Sequence, residues 1–219
     1  MDQMMTLLNQ NETLAGIYMK EYPVLKGNII YNSVEVDTLF LKKGIAVVEV
    51  FNNERWEALT ILKDKGILGL ELFSEHTCYE KLGLEYRVVA LTICRIVRIN
   101  TNFLMDHMYV IPKFLFDYLE YNIAQYIMII GNYRAVRNSL EQRLADLLLK
   151  WGRVLNTGAV QNEIVFPFCI KYKMLAEALK SSKPRVYAIL NDWEANGIIM
   201  KRGTNMIASK LELEKLAYF

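Results

Sequence analysis

Basic and hydroxyl-bearing side chains cluster in three places near the C-terminal end of the chain. They are Lys171, Tyr172 and Lys173, then Ser181, Ser182, Lys183 and Arg185, and finally Lys201 and Arg202. Lysine and arginine neutralise phosphates and donate hydrogen bonds to guanine edges, and hydroxyl groups donate to phosphate oxygens. Residues of these types, if the fold brings them together, would form a surface that binds double-stranded DNA.

The elements around these residues predict a helix-turn-helix followed by a hairpin. The run KYKMLAEALK predicts a short amphipathic helix, and the two serines after it supply a turn and an N-cap oxygen for a second helix. Pro184 suits the start of that helix, and Gly197 is placed to end it in the left-handed conformation. Two β-like runs, IIMK and NMIAS, then flank a turn and predict a wing at Arg202-Gly203-Thr204. The apolar residues expected to join the two helices are Leu175, Leu179, Val186, Ile189, Leu190 and Trp193.

A plain helical hairpin would need the same apolar spacing, so the basic residues decide between the two interpretations. They lie before and at the start of the second helix, which is the end that enters the major groove in a DNA-binding helix-turn-helix. The net charge of the chain is only +2, and a basic C-terminal segment of this size is common by chance. The position of the basic residues therefore favours DNA binding more strongly than their number does.

The N-terminal half has the pattern of a small antiparallel β structure. Short runs rich in Val, Ile, Leu, Phe and Tyr extend from about Asn28 to Ile99, with turn residues at Lys43-Gly44, Asn52-Asn53 and Asp64-Lys65-Gly66. The segment from Tyr86 to Ile99 is the longest β-like stretch, and its apolar residues Val89, Leu91, Ile93, Val97 and Ile99 recur at period two. We therefore expect an α+β protein whose residues 1–106 form a jelly-roll-like β-roll and whose residues 139–219 form the winged helix-turn-helix.

A helical seam lies between these two predicted domains. Its apolar positions are spaced alternately by four and three residues, which is typical of a helix that packs along a partner helix. We assign residues 107–138 to this helix and predict a homodimer, the alternative being that the helix packs on its own domain. The single polar member of the seam, Asn122, would fix the register and the oligomeric state. The seam positions are Leu115, Leu119, Asn122, Tyr126, Ile129, Tyr133, Val136 and Leu140.

Other classes of protein find little support in the sequence. There is no G-x-G-x-x-G, P-loop or G-x-S-x-G motif, so we expect neither catalytic residues nor a cofactor. The three cysteines form no C-x-x-C pair, which argues against a disulfide framework and a metal site. His76 with Cys78 leaves a redox role open, although an incidental loop thiol explains the pair more simply. The N-terminus lacks a secretory signal and no apolar run could span a bilayer, so we expect a cytoplasmic protein without membrane contact.

The run MLAEALKSSKPRVYAILNDWEANGIIMKRG resembles the winged helix-turn-helix of the Crp/Fnr family of bacterial transcriptional regulators. SLEQRLADLLL resembles the helix that opens the DNA-binding domain of that family, and the seam lies where the family has its dimerisation helix. GILGLELF resembles the glycine signature of the family's cyclic-nucleotide-type β-roll. Within the family, the chain is similar to the branch in Gram-positive bacteria that includes the virulence regulator of Listeria.

The resemblance implies roles for individual residues. Tyr172, Lys173 and Ser182 would contact phosphates, whereas Lys183 and Arg185 would lie at the groove-facing start of the recognition helix. Pro184 and Ala188 replace an acidic residue and an arginine of some members, so the preferred operator should differ from theirs. Lys180 stands where many members have glycine and would need a positive φ or another turn. The implied partners are a pseudo-palindromic operator, a second copy of the chain and RNA polymerase.

The resemblance also indicates what the β-roll lacks. The family's glutamate for the ribose of a cyclic nucleotide is replaced by Ile67, and its Arg-Ser pair for the phosphate by Leu84-Glu85. Met128 and Ile129 occupy the positions that would bond the base. The cysteine cluster of the iron–sulfur branch is absent from the sequence. We therefore expect no binding of cyclic nucleotides, and a regulator that has either an unknown small-molecule effector or none. An interaction module that has lost DNA binding is disfavoured, since the basic cluster would be lost early.

Overall fold

A computed structural model describes residues 5–6, 8–32, 35–64, 66–69, 85–116, 119–120, 123, 139–155 and 162–218. These residues form two compact units. Met1–Phe51 with Lys63–Ile127 is the first unit, and Asn52–Leu62 with Met128–Phe219 is the second. Among the described residues, no helix is long and apolar enough to cross a membrane.

The N-terminal half of the chain contains a helix followed by antiparallel strands. Helix α1 spans Glu12–Tyr18, and Asn11 caps its first turn by accepting a hydrogen bond from the Leu14 amide at 3.2 Å. Eight strands follow in the chain: β1 Met19–Val24, β2 Ile29–Asn32, β3 Thr38–Lys43, β4 Ile45–Asn52, β5 Arg55–Lys63, β6 Gly66–Leu68, β7 Tyr86–Ala90 and β8 Cys94–Ile99.

These strands form two four-stranded sheets. One has the order β1-β8-β3-β6 and the other the order β2-β7-β4-β5. Phe40 pairs with Val97 in the first sheet and Val48 pairs with Val88 in the second, both between antiparallel strands. A two-residue loop joins β4 to β5, and its residues Asn53 and Glu54 both have a positive φ, which matches the right-handed twist of the flanking strands. The β-roll expected from the sequence is therefore present.

The stretch from Tyr86 to Ile99 is divided between the two sheets. Strand β7 ends at Ala90 and β8 begins at Cys94, with Leu91–Ile93 as a bend between them. The Thr92 hydroxyl accepts a hydrogen bond from the Ile45 amide at 2.9 Å, and this bond holds the bend. Apolar residues continue through the bend at Leu91 and Ile93 and resume at Val97, which is why the sequence reads as a single run. Ile93 belongs to that pattern, yet 66% of its surface is exposed.

A helix packs on the sheet that contains β8 and β3. Helix α2 spans Thr101–Val110, and Asn100 caps it by accepting from the Phe103 amide at 3.1 Å. It ends at Ile111, and residues 112–116 are helical again. Residues 107–110, which we assigned to the dimerisation helix, thus lie in α2, and the next helix starts at Pro112 as its residue type suggests. The apolar cluster beneath α2 includes Phe40, Ile67, Val97, Ile99, Phe103, Leu104 and Phe114.

The second unit contains four helices and a three-stranded sheet in the described part beyond residue 139. Ser139 and Gln142 form a reciprocal capping box before the first of these helices, with both hydrogen bonds at 3.1 Å. The elements are α3 Leu140–Leu155, β9 Glu163–Phe166, α4 Tyr172–Ala178, α5 Lys183–Ala195, β10 Ile199–Arg202, β11 Asn205–Ser209 and α6 Lys210–Tyr218. The sheet order is β10-β11-β9, with antiparallel pairs. The predicted helix ending at Gly152 extends three residues further, and β9 and α6 were not predicted.

Candidate nucleic-acid interface

Helices α4 and α5 form the predicted helix-turn-helix because their apolar stripes are buried. Leu175 and Ala176 on α4 and Val186 and Leu190 on α5 are each at most 1% exposed. Burying a valine or leucine side chain stabilises a fold by roughly 1.5–3 kcal/mol, so Leu175, Val186 and Leu190 specify the packing strongly, while the small Ala176 leaves room between the helices. Trp193 is also buried, and its ring nitrogen donates to a carboxylate oxygen of Glu141 on α3 at 3.3 Å.

The turn between the two helices contains a non-glycine residue in the left-handed region. Lys180 has φ +49°, and its amide donates to the Glu177 carbonyl at 2.9 Å. The next amide, that of Ser181, donates to the Ala176 carbonyl at 2.9 Å. Arg143 on α3 donates to the carbonyl of Leu179, the C-cap residue of α4. Of the two alternatives expected at Lys180, a positive φ or another turn, the structure has the positive φ.

The start of α5 differs from the prediction in its cap. Ser182 is the N-cap residue, but its side chain makes no capping hydrogen bond. An N-cap oxygen usually accepts from the amide two or three residues later, and Pro184 has no amide hydrogen to offer. The Ser181 hydroxyl oxygen is buried and has no hydrogen-bond partner among the described residues. Ser182, Lys183 and Arg185 are exposed, so three of the four predicted contacts at this end of the helix face solvent.

The end of α5 and the wing form as the sequence predicts. Gly197 has φ +72°, and the amides of Gly197 and Ile198 donate to the carbonyls of Glu194 and Trp193 at 3.2 and 2.9 Å. This is the paired hydrogen-bond pattern of a glycine-terminated helix. In the wing, Arg202 pairs with Asn205 across the turn formed by Gly203 and Thr204, and Gly203 has φ +62°. The wing is anchored by β9, because β11 pairs with both β10 and β9.

Five of the nine predicted contact residues lie around one cavity between α5 and the wing. The cavity has a volume of about 300 Å³ and is bordered by Lys171, Tyr172, Lys173, Lys183 and Lys201. The hydroxyl-bearing Ser182 lies with Lys173 and Lys183 on a second, larger cavity of about 770 Å³. Arg202 is exposed on the wing, with its guanidinium 3.7 Å from a carboxylate oxygen of Glu163. The fold thus gathers lysines from three separate segments at one surface.

Two of these lysines are paired with glutamates. The Lys201 ammonium lies 2.8 Å from a carboxylate oxygen of Glu194, and this hydrogen bond raises the pKa of Lys201 above its ordinary value. The Lys173 ammonium lies 3.2 Å from one carboxylate oxygen of Glu177, whose other oxygen accepts from the Ala58 amide at 3.2 Å. Both lysines remain more than half exposed. Surface ion pairs of this kind are worth at most about 1 kcal/mol, so a phosphate can compete for both cations.

Aromatic side chains form part of the same surface. The rings of Tyr172 and Tyr187 meet edge to face with centroids 5.0 Å apart, and the Lys171 ammonium lies 5.5 Å from the centre of the Phe168 ring. Burial raises the pKa of the Tyr172 hydroxyl above its ordinary value, against the opposing effect of the nearby Lys201. The Tyr172 hydroxyl therefore keeps its proton at neutral pH and can donate a hydrogen bond to a phosphate oxygen.

Sequence reasoning missed two exposed residues of this surface, Tyr187 and Thr204, and a third exposed residue of α5, Asn191. Tyr187 follows Lys183 by four positions, so helical spacing alone places both on the same side of α5. Thr204 occupies the wing turn and borders the cavity with Lys201. Asn191 is exposed on the side of α5 opposite the buried residues Val186, Leu190 and Trp193. That side is known only once the structure shows which residues of the helix are buried.

The other predicted sites fall partly outside the described residues. Leu115 and Leu119 are 41% and 43% exposed, whereas Asn122, Tyr126, Ile129, Tyr133 and Val136 lie outside the described ranges. His76 and Cys78 lie outside them as well. Cys94 and Cys169 are both buried, and burial raises the pKa of the Cys94 thiol. Within the ranges that the structure describes, no group of three or more His, Cys, Asp or Glu residues could hold a metal ion.

Comparison with known proteins shows what the fold is similar to. No family model and no curated protein sequence matches the chain. Among solved structures, a cyclic nucleotide-binding domain containing protein from Listeria monocytogenes EGD-e has a TM-score of 0.76 and 17% identity, covering 96% of this chain and 98% of its own. CooA from Carboxydothermus hydrogenoformans, solved as a mutant, has a TM-score of 0.72 and 17% identity, covering 98% and 95%.

A third similar structure is a Crp/Fnr-family transcriptional regulator from Thermus thermophilus. Its TM-score is 0.64 and its identity 18%, covering 91% of this chain and 99% of its own. The structural neighbours thus include Crp/Fnr-family transcriptional regulators and a cyclic nucleotide-binding domain protein. The α+β fold class predicted from the sequence, a β-roll with a winged helix-turn-helix, is confirmed. At these identities the similarity establishes the fold alone.

The turn at Lys180 yields a stability prediction. A residue with a β-carbon in the left-handed region destabilises the folded state by about 1–2 kcal/mol. Glycine removes that cost, but its greater freedom in the unfolded chain offsets about 0.5–1 kcal/mol of the gain. We expect Lys180→Gly to raise the free energy of unfolding by roughly 0.5–1 kcal/mol in chemical denaturation. Lys180→Ala is the matched control, because it removes the charge but keeps the β-carbon. If Lys180→Ala stabilised the protein as much as Lys180→Gly, charge rather than backbone strain would be the cause.

Proposed function

We propose that this protein is a sequence-specific DNA-binding transcriptional regulator of the Crp/Fnr type that acts as a homodimer. One observation carries the proposal. The exposed N-terminal end of α5, with Lys183 and Arg185, lies beside the wing and borders a cavity ringed by lysines from three segments. A recognition helix binds in the major groove by this end, while neighbouring cations hold the phosphates on either side.

The two basic residues of α5 lie on different sides of the helix. Lys183 borders the cavity with the wing residue Lys201, whereas Arg185 is two positions further along and therefore points to the opposite flank. The walls of the major groove are the two phosphate backbones, so each residue is placed to meet a different strand. Lys183 and Arg185 accordingly contribute mainly charge and contribute little to the choice of sequence.

The first test is the salt dependence of binding to duplex DNA. Lys183→Ala and Arg185→Ala should each weaken binding and should each reduce the slope of log affinity against log salt by about one. Lys215→Ala is the control, because Lys215 is exposed on α6 and pairs with Glu212 at 2.8 Å, away from the recognition helix. Fluorescence anisotropy at several salt concentrations measures the slopes. Unchanged slopes in both α5 variants would contradict the assignment of the recognition helix.

A homodimer is proposed from the apolar seam. Leu115 and Leu119 are spaced by one helical turn and are each about two-fifths exposed in the single chain. A second copy that covers this stripe would bury it, as in a two-stranded helical interface. The dimer would present two recognition helices to half-sites about one helical turn apart, which explains why a pseudo-palindromic operator is expected.

The double variant Leu115→Glu/Leu119→Glu tests the dimer. It should sediment as a monomer and bind DNA more weakly, because the two glutamates of one copy would repel the same two glutamates of the other copy across the interface. Ile93→Glu is the control, since Ile93 is also an exposed apolar residue but lies in the bend between β7 and β8. Analytical ultracentrifugation at micromolar concentration distinguishes the two states. A wild-type monomer that stays monomeric on DNA would refute the dimer.

We further propose that the β-roll does not bind cyclic AMP or cyclic GMP. Ile67, at the position of the expected glutamate, is buried in the apolar cluster of the first unit. Arg87, which a shift of register could bring to the phosphate, donates to a carboxylate oxygen of Glu49 across the β4–β7 ladder at 2.7 Å. A buried phosphodiester without a compensating charge costs several kcal/mol. The effector is therefore another small molecule or absent, and RNA polymerase is the expected protein partner.

Isothermal titration calorimetry of the purified protein tests this exclusion. We expect no heat of binding with cyclic AMP up to millimolar concentration. Arg87→Ala should give the same result as the wild type. A micromolar dissociation constant that is lost in Arg87→Ala would show that Arg87 leaves Glu49 and clamps the phosphate.

A further inference from the structure

The outer side of the recognition helix has an unusual chemical character. Val186, Leu190 and Trp193 mark the buried stripe of α5. The residues on the opposite side, spaced by four and three positions, are Pro184, Ala188 and Asn191, and all three are exposed. We call these three residues the outer strip. Lys183 and Tyr187 lie on the flank that borders the wing cavity, so the outer strip is the part of α5 that faces away from the domain.

The outer strip begins with two side chains that carry no hydrogen-bonding atom. Proline offers a hydrocarbon ring and alanine a methyl group, so neither can bond to the polar atoms of a base edge. In the major groove, thymine is the only base that presents a methyl group, which lies beside its carbonyl oxygen, whereas the recognition groups of guanine, cytosine and adenine are polar. The thymine methyl is the largest apolar group on any base edge, so it is the contact that Pro184 and Ala188 favour. Facing a G·C pair, they would leave its polar atoms desolvated and unpaired.

Asn191, the third member of the outer strip, also suits A·T base pairs. Asn191 presents an amide that can both accept from and donate to the edge of adenine. It lies about two helical turns after Pro184, so it faces a different base pair of the same half-site. The charged residues beside the strip, Lys183 and Arg185, are directed to the flanks where the phosphates lie. The strip therefore carries the choice of sequence, and the flanks carry the affinity.

We infer that the outer strip recognises an A·T-rich half-site through thymine methyl groups that contact Pro184 and Ala188. This inference rests on the proposed DNA-binding function and deepens it, since it names the chemistry of the operator. Loss of one buried methyl group corresponds to a weakening of about fourfold. Replacing the contacted thymines by deoxyuridine, which removes only the methyl group, should therefore weaken binding about fourfold for each base.

The experiment starts from two random duplex libraries, one made with thymine and one with deoxyuridine, each selected on the full-length protein. We expect the thymine library to yield inverted repeats with conserved A·T pairs. The enriched duplex is then titrated with and without deoxyuridine at each conserved thymine. Ala188→Ser should reduce the deoxyuridine effect at one position of the half-site only, because it replaces the methyl surface with a hydroxyl group. Lys183→Ala is the matched control and should weaken both duplexes equally.

The outcomes separate this inference from the proposed function. Conserved G·C pairs at the centre of each half-site, or equal affinity for the thymine and deoxyuridine duplexes, would overturn the role of the outer strip while leaving DNA binding intact. Failure to enrich any sequence from either library would overturn the proposed function itself. Circular dichroism of Ala188→Ser and Lys183→Ala confirms that both variants are folded before their affinities are compared.

Discussion

Burial of one side of α5 is the constraint on which the candidate interface depends. Val186, Leu190 and Trp193 must leave water, and α4 and α3 provide the surfaces that cover them. Once this stripe is buried, the opposite side of the same helix is exposed. The hydrogen bond from Trp193 to Glu141 then fixes the end of the helix against α3. The positions of Lys183, Arg185 and the outer strip all follow from this single packing arrangement.

The parts of the fold that the sequence predicts are those with local causes. Gly197 ends α5 and Gly203 turns the wing because each needs a positive φ, and both requirements are visible in the residue type. The helix-turn-helix is predicted because its apolar spacing is short-range. The site residues contributed by α4, α5 and the wing could be named for the same reason, and the fold brings five of them to one cavity.

The parts that the sequence does not predict depend on long-range pairing. The stretch from Tyr86 to Ile99 divides between two sheets because the Ile45 amide reaches the Thr92 hydroxyl, a contact between distant segments. Strand β9 is short, and it is held in the sheet by its pairing with the distant strand β11. The ion pair of Lys201 with Glu194 spans only seven positions, but it joins the wing to α5 across the turn at Gly197, and no residue pattern marks it. Such pairs matter to the proposed function, in which each cation would exchange a carboxylate for a phosphate on binding DNA.

Hydrogen–deuterium exchange of the full chain, with and without a duplex enriched from a random library, tests the central claim most directly. The free amides at the start of α5 and those of the wing turn should exchange more slowly when DNA is bound. We therefore expect protection in residues 181–188 and 201–206, with residues 210–218 of α6 unchanged. DNA binding with no protection in residues 181–188 would contradict the assignment of α5 as the recognition helix.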